Sequence, residues 1–568
     1  MKNLFKRAYK ILNLEQKKKL NILYLIFFFS MIFETLSIGI FIPLLSNLSG
    51  NEININSYLP EIISTKNQLE NVIFFTLLLG IVFTIKTIFL TYANYKIQKF
   101  FFELNDYFSK IVHSIYLRKS YSFHVDNDSS TLIRDINDIR FGVDFYKGLI
   151  ILFAEILVVI GITFIITIYN PVTSIVTFLS VGLIGMIFYK VIQAKAKIWG
   201  KERQKFEEKR YFDLQLSFNE IKNIKLLNKE NYFNREFVNS NYKNFEVQFK
   251  NNFTLSLPKN WLEWITLIVI IVLIFFLITF GYSLGAILTQ IGIYCIAAYR
   301  LVPSITRIMN SMQMIKFSVP AVTKIDEVIE NQDKEEEFNN EKNINLEKKL
   351  EIKNINFSFN SGQKIVFKDL NLNIDAFSFN GIVGKSGAGK STLINILTGL
   401  LFPVNGQILA DGIDIKKNLK SWRKKIGYVP QNVFLSNLSI KENIAFGVEP
   451  EAINNTSVLR AIKLAQLENF VQGLRQGMDT KIGEFGSQIS GGQKQRIGIA
   501  RALYKIPQIL ILDESTNSLD DKTESEILKD ILKLKENKVT LFMISHDKNA
   551  LSICDNVFEI KNNNINKL

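Results

Sequence analysis

Six long apolar runs occupy the first 320 positions of the chain, and none follows them. They fall at about 20–47, 71–98, 141–168, 171–192, 260–280 and 285–306. Each is near or above the ~20 residues that a helix needs to cross a hydrocarbon layer. A buried core helix would explain one such run, but six in series predict spans. Only Asn170-Pro171 and Gly281-Tyr282-Ser283 separate the third run from the fourth and the fifth from the sixth. The second and third, and the fourth and fifth, are joined by long charged stretches that read as helical, with short helices expected at Ser122 to Asp135 and Phe212 to Glu230. From Glu327 to Lys349 the chain is polar, with Lys334-Glu335-Glu336-Glu337 and little apolar periodicity, and reads as a linker. After it, runs such as Ile509-Leu510-Ile511-Leu512 are too short and β-branched for helices and read as buried strands. The pattern predicts an all-α membrane domain with six spanning helices over 1–326, a linker over 327–349 and an α/β domain over 350–568.

Composition agrees and charge adds orientation. The chain has 568 residues, 48% of them hydrophobic, enough for a membrane region and one further domain. Lys2, Lys6, Arg7, Lys10, Lys17, Lys18 and Lys19 precede the first run, whereas Glu52, Glu61 and Glu70 face only Lys66 in the loop after it. This asymmetry places the N-terminus on the cytoplasmic side. A signal peptide would have a shorter apolar core and a small-residue cleavage site. The net charge of +15 lies largely at the N-terminus and on the cytosolic stretches. Positive-inside topology and anionic lipid account for it, so no nucleic-acid partner is expected. Cys295 and Cys554 are far apart in the chain and imply neither a disulfide framework nor a metal site.

The chemistry is concentrated after residue 380. Gly384, Lys385, Ser386, Gly387, Ala388, Gly389, Lys390, Ser391 and Thr392 fit G-x-x-x-x-G-K-[ST]. Backbone N–H groups of such a loop wrap a polyphosphate, Lys390 reaches the β and γ phosphates of ATP, and Ser391 can ligate Mg²⁺. A phosphate loop alone leaves many enzyme families open. About a hundred residues later stand Ser490, Gly491, Gly492 and Gln493, and here the sequence resembles the ATP-binding cassette (ABC) superfamily, whose signature element contacts ATP held by a second cassette. The resemblance implies Walker B at Asp513 and Glu514, with Asp513 on Mg²⁺ and Glu514 polarising the attacking water. It also implies a Mg²⁺- and γ-phosphate-sensing Gln431, a switch His546, a D-loop at Asn517 to Asp520, an adenine platform at Phe359 and a segment facing the membrane domain at Thr480 to Gly486. Phe359 stands in place of a tyrosine, Ile489 in place of the signature leucine, and Phe377 to Val383 lacks the usual lead-in to the loop. Glu514 is present, so the site is expected to turn over.

Ionisable groups inside a bilayer are costly and mark a pathway or a partner. Lys86 and Arg300 lie roughly 20 Å from the outer ends of their runs, and Lys259 opens the fifth. They either line one cavity suited to a phosphate or diphosphate, or are paired with Glu34, Glu155 and Glu263. Ile32 to Thr35, Leu257 to Glu263, and Ala298 to Ser304 with Arg307 resemble the membrane domain of PglK-type flippases, which are half-size ABC exporters. This resemblance implies a homodimer in the bacterial inner membrane that moves lipid-linked oligosaccharide, a polyprenyl diphosphate carrying a glycan, with Lys86, Lys259 and Arg300 on the substrate. Ile55 to Ile63 would then be a small outer helix or an ordinary loop. Export of a peptide, a drug or another lipid such as lipid A is the alternative.

Overall fold

The computed structural model describes residues 2–48, 68–169, 171–331, 343–359, 364–515 and 521–568. The outer segment 55–63, the charged run 334–337 and the D-loop 517–520, with Asp520, lie outside the described residues. Two compact units emerge: Met1–Lys119 with His124–Gln332, and Ser120–Phe123 with Asp333–Leu568.

Up to residue 331 the described residues form helices: α1 (Lys2–Lys10), α2 (Leu14–Gly39), α3 (Phe41–Leu48), α4 (Gln68–Arg118), α5 (Tyr121–Asp126), α6 (Ser129–Asn137), α7 (Ile139–Tyr169), α8 (Pro171–Asn219), α9 (Ile221–Leu226), α10 (Glu230–Thr279) and α11 (Leu284–Glu330). A capping box starts α2: Asn13 Oδ1 accepts from the Gln16 N–H at 2.7 Å, and Gln16 Oε1 from the Asn13 N–H at 3.0 Å. Among the described residues, Leu14–Leu48, Leu69–Arg118, Ser129–Ile168, Glu230–Thr279 and Ile287–Glu330 are long and apolar enough to cross a membrane. The fourth predicted span, 171–192, lies in α8, where its side chains fall outside the described residues. At 51 residues, α4 is ~76 Å long and outreaches the hydrocarbon layer, so its C-terminal half is one of the predicted charged extensions. The short helices are narrower than predicted: α5 and α6 divide the first segment, and in the second α8 continues to Asn219 and leaves only α9 separate. Similarly, α11 takes in Glu327 to Glu330 of the predicted linker.

Helices in lipid gain little from apolar burial against one another and pack where small residues let backbones approach. Gly200 on α8 sits so close to α11 that a Cβ would lie 2.2 Å from the Phe317 carbonyl oxygen, and one on Gly161 of α7 would lie 2.4 Å from Thr35 Oγ1 of α2. Ile38, Val158, Ile162, Ile166, Ala297 and Leu301 form the resulting core of α2, α7 and α11. Further along, a buried Arg203 grips Asp138 through both guanidinium nitrogens at 2.7 and 2.8 Å, fixing α8 against the start of α7.

The second unit has two sheets. β1 (Lys349–Phe359), β2 (Lys364–Asp375), β4 (Asn405–Ala410) and β5 (Ile413–Asp414) form an antiparallel sheet in the order β2-β1-β4-β5. β3 (Phe379–Gly384), β6 (Ile426–Val429), β7 (Ile509–Asp513), β8 (Thr540–Ile544), β9 (Asn556–Lys561) and β10 (Asn564–Lys567) form the other, in the order β10-β9-β3-β8-β7-β6. All its pairings are parallel except β9 with β10. Every residue of β7 and β8 is buried, as a parallel strand covered on both faces must be. One core lies between the two sheets and takes in α12 (Lys390–Leu397) and Trp422 of α13 (Leu419–Arg423). The other lies beneath α14 (Ile440–Ile444), α15 (Asn455–Leu464), α16 (Glu468–Gln472), α17 (Gly491–Leu503) and α18 (Asp521–Lys533), with α19 (Lys548–Leu551) beside it. The α/β domain is therefore as the apolar pattern predicts.

Candidate nucleotide site

The carboxyl ends of four neighbouring parallel strands carry the predicted chemistry. Gly384 ends β3 and Asp513 ends β7, while Gln431 and His546 each stand two residues beyond β6 and β8. Ligands of open α/β sheets bind at this edge. The unusual lead-in Phe377 to Val383 is anchored by other means. Asn380, fully buried, donates to the Leu541 carbonyl at 3.3 Å and accepts from Asn556 at 3.1 Å, and the Phe379 N–H donates to Asp555 at 2.8 Å. Gly389, at the start of α12, has φ +106°, and a Cβ there would lie 2.7 Å from Val366. Glycine is needed at this position both for its left-handed backbone and for the space.

Four of the predicted side chains meet. The Lys390 ammonium donates to the Gly384 carbonyl at 2.7 Å and to His546 Nε2 at 3.0 Å. Glu514 Oε1 lies 3.8 Å from Lys390 Nζ and 3.8 Å from His546 Nε2, while its Oε2 accepts from the Gln431 amide at 2.7 Å. Glu514 itself has φ +47°, and its N–H donates to the Ile544 carbonyl at 3.0 Å. A left-handed non-glycine residue costs about 1–3 kcal/mol and persists where the surroundings over-determine it. Here the strain turns the chain at the end of β7, so that Asp513 and Glu514 take different surroundings. Asp513 is buried, and burial pushes its carboxyl above the ordinary carboxylate value; the Tyr428 hydroxyl, donating at 3.3 Å, holds it back and nearby Glu514 adds to the rise.

Tyr428 was not singled out as a site residue. Its position three residues before Gln431, on the strand paired with β7, carried the information, but only the register of β6 against β7 makes it usable. Phe359 ends β1 with its ring 5.0 Å from that of Phe357, edge to face. Lys385, Ser386 and Gly387 are exposed in the loop, and Ser391 and Thr392 occupy the first turn of α12.

The signature element forms the start of α17. The Gln493 N–H donates to Ser490 Oγ at 3.3 Å and the Ser490 N–H to Gln493 Oε1 at 2.9 Å, a second capping box. Ser490 and Gly491 are exposed, and a Cβ on Gly491 would meet nothing within 4 Å. No hydrogen bond among the described residues joins this element to the phosphate loop of its own chain.

Residues 367–517 match the family model for "ABC transporter". A structure of a bacterial Atm1-family ABC exporter with ATP bound superposes over 98% of this chain and 95% of that one, with TM-score 0.77 and 20% identity. The chain has the fold of an ABC exporter. Its second unit is thus the ABC-type ATP-binding domain of that fold. An uncharacterized ABC transporter ATP-binding protein of Bacillus subtilis is 40% identical over 221 residues, 39% of this chain and 38% of that protein. A putative multidrug export ATP-binding/permease protein of Staphylococcus aureus is 39% identical over 218 residues, 38% and 37% of the two chains. ABC transporter B family member 21 of Arabidopsis thaliana is 39% identical over 199 residues, 35% of this chain and 15% of that one. The matches span well under half the length of these curated relatives.

The donor set suits Mg²⁺. Among the described residues no group of three or more His, Cys, Asp or Glu side chains forms a metal cage. Mg²⁺ instead favours one or two protein oxygens together with substrate phosphates. Ser391, Asp513 and Gln431 supply oxygen donors of that kind.

Within the exporter fold, the three membrane cations divide. Lys86 of α4 and Arg300 of α11 meet on one carboxylate, Glu34 of α2, at 2.8 and 2.7 Å. Lys259 pairs with Glu263 of its own helix at 3.9 Å, with both side chains exposed. Arg307 pairs with Glu155 at 2.5 Å. Of the two options the geometry shows pairing: all three cations have a carboxylate, and Lys86 and Arg300 share theirs while Lys259 stands apart.

Proposed function

We propose that the chain is one half of an ATP-driven membrane exporter that acts as a homodimer. The observation that carries this is the convergence of Lys390, Gln431, Glu514 and His546 at the sheet edge. The phosphate loop and Lys390 would bind the triphosphate, and Ser391, Asp513 and Gln431 would hold a Mg²⁺ ion, which would neutralise charge on the transferring phosphoryl group. Glu514, tethered by Gln431, orients the attacking water and takes its proton, and His546 beside Lys390 hydrogen-bonds near the γ-phosphate. The exposed start of α17 is the surface that the partner chain's nucleotide would meet, with Ser490, Gly491 and Gly492 offering N–H groups at a helix N-terminus. Association and parting of two such domains would alternate access through the membrane helices.

The cargo we propose is a polyprenyl diphosphate carrying a glycan, moved across a bacterial inner membrane from a cytoplasmic side that also holds the N-terminus and the ATP-binding domain. Its support is the pair Lys86 and Arg300 inside the helix bundle, with Lys259 nearer one end of the fifth span. Export of a drug, a peptide or another lipid is the second reading, and the drug among these is favoured by the likeness to the staphylococcal putative multidrug export protein. Reconstitution in vesicles separates them: ATP-dependent movement of a lipid-linked oligosaccharide, with none of lipid A, a drug or a peptide, is expected. Movement of a drug or peptide alone would establish the second reading.

A further inference from the structure

The triad on Glu34 is unbalanced. One carboxylate faces two cations, leaving one positive charge in an apolar setting, since Glu34, Lys86 and Arg300 side chains are only 5%, 14% and 22% exposed. The nearby Arg307 and Glu155 cancel each other and supply no compensation. Arg300 Nε is buried and has no hydrogen-bond partner, and Glu34 Oε2 has the Lys86 ammonium 2.8 Å away. The Ser37 hydroxyl accepts from Lys86 at 3.2 Å, and the Lys86 ammonium sits over the Phe83 ring at 4.7 Å. Glu34 thus offers one oxygen to each cation, as two oxygens of a phosphate would.

We propose that Glu34 is a built-in competitor for the anionic end of the cargo. Two phosphate oxygens take over Lys86 and Arg300 as Glu34 lets go, so Glu34 sets how tightly that end is held. The exchange keeps both cations paired at every stage but frees the shielded Glu34 carboxylate, and that cost is what makes Glu34 a competitor. It also ties cargo entry to the helices, because the contact that is lost joins α2 to α4 and α11. This inference rests on the anionic-cargo reading above.

The test uses the full-length chain in lipid nanodiscs with a polyprenyl diphosphate or, as an uncharged control, the matching polyprenol. Two quantities are read: the lipid concentration giving half-maximal stimulation of ATP hydrolysis, and the melting temperature with and without lipid. Glu34→Gln is expected to lower the half-maximal diphosphate concentration roughly tenfold, a typical size for coupling between competing ligands, with no change for the polyprenol. The variant should melt below wild type in polyprenol discs and recover when diphosphate lipid is added, because a ligand bound only by the folded state raises its stability. An unchanged or raised half-maximal concentration, or an equal shift for the polyprenol, overturns the inference and leaves Glu34 as a helix tie. Should Glu34→Gln not fold, Glu34→Asp, one methylene too short to bridge both cations, is expected to shift the same concentration in the same direction; no shift overturns the inference. A Lys86→Gln, Arg300→Gln double variant that responds to diphosphate lipid like wild type overturns the anionic-cargo reading itself.

Discussion

Two charged clusters in this protein share a design and differ in setting. In each, a carboxylate stands beside two basic side chains: Glu514 with the Lys390 ammonium and the His546 imidazole in the ATP-binding domain, and Glu34 with Lys86 and Arg300 in the helical unit. Of the first cluster only His546 is exposed; Glu514 lies 3.8 Å from both neighbours and is held instead by the Gln431 amide at 2.7 Å, so its contacts with Lys390 and His546 are wide enough for a ligand to take over. The Glu34 contacts are nearly 1 Å shorter and largely shielded, and leaving either partner alone is costly there. Wide contacts suit a site whose anionic ligand displaces them. Tight, shielded charge suits a site that must never stand unpaired.

The comparison can be broken most severely at Glu514. Replacement by Gln should reduce phosphate release by roughly 10²- to 10⁴-fold, the usual worth of a general base, while nucleotide binding, followed by fluorescent ATP, stays near wild type. Hydrolysis at the wild-type rate would remove Glu514 from the chemistry. Next comes Glu34→Ala, which leaves two shielded cations with no carboxylate and should cost about 3–5 kcal/mol, read as a fall in melting temperature of the solubilised chain. A loss no larger than that of an exposed ion pair would erase the distinction between the two settings. Gly200→Ala is a control on the scaffold: its Cβ would press on the Phe317 carbonyl, so about 1–3 kcal/mol of overpacking strain is expected, with ATP binding unaffected.

The smallest effect concerns Asp513. Its native pKa is raised above the ordinary 3.8, so the native state holds the proton to higher pH than the unfolded chain does. Its contribution to stability is therefore greatest below pH ~4 and falls as pH rises through the native pKa. Comparing wild type with Asp513→Asn across that window should show the wild type alone losing stability. Tyr428→Phe removes the hydrogen bond that holds the pKa down and should move the decline to higher pH, with a stability change of about 1 kcal/mol.

Much of the ATP-binding domain was readable because its chemistry is local in sequence. Gly384 to Thr392 is one loop with its helix, and the apolar run before Asp513 is one buried strand; neither needs a distant residue to be recognised. Tyr428 escaped because its value depends on which strand lies beside β7, and the positive φ of Glu514 because backbone strain leaves no mark on residue type. In the helical unit the apolar runs were plain, yet their ends were not. Charged helix reads as linker after Asp326, so α11 runs to Glu330 beyond the predicted limit, and a charged helical stretch gives no mark of where one helix ends, so α8 runs on to Asn219. The cations were visible as costly residues within apolar runs, but charge gives no direction around a helix axis.

By itself, then, the order of residues determined the two-part architecture, the phosphate-loop pattern, the buried strand that ends in Asp513 and Glu514, and the cost of Lys86 and Arg300, because each is set by short-range pattern or by transfer from water. The tertiary structure alone decided that Lys86 and Arg300 share Glu34 while Lys259 does not, and that Lys390, Gln431, Glu514 and His546 meet. The physical reason is that partners 32 to 266 positions apart are chosen by helix rotation, close approach at residues such as Gly161 and the register of parallel strands, none of which a one-dimensional pattern contains.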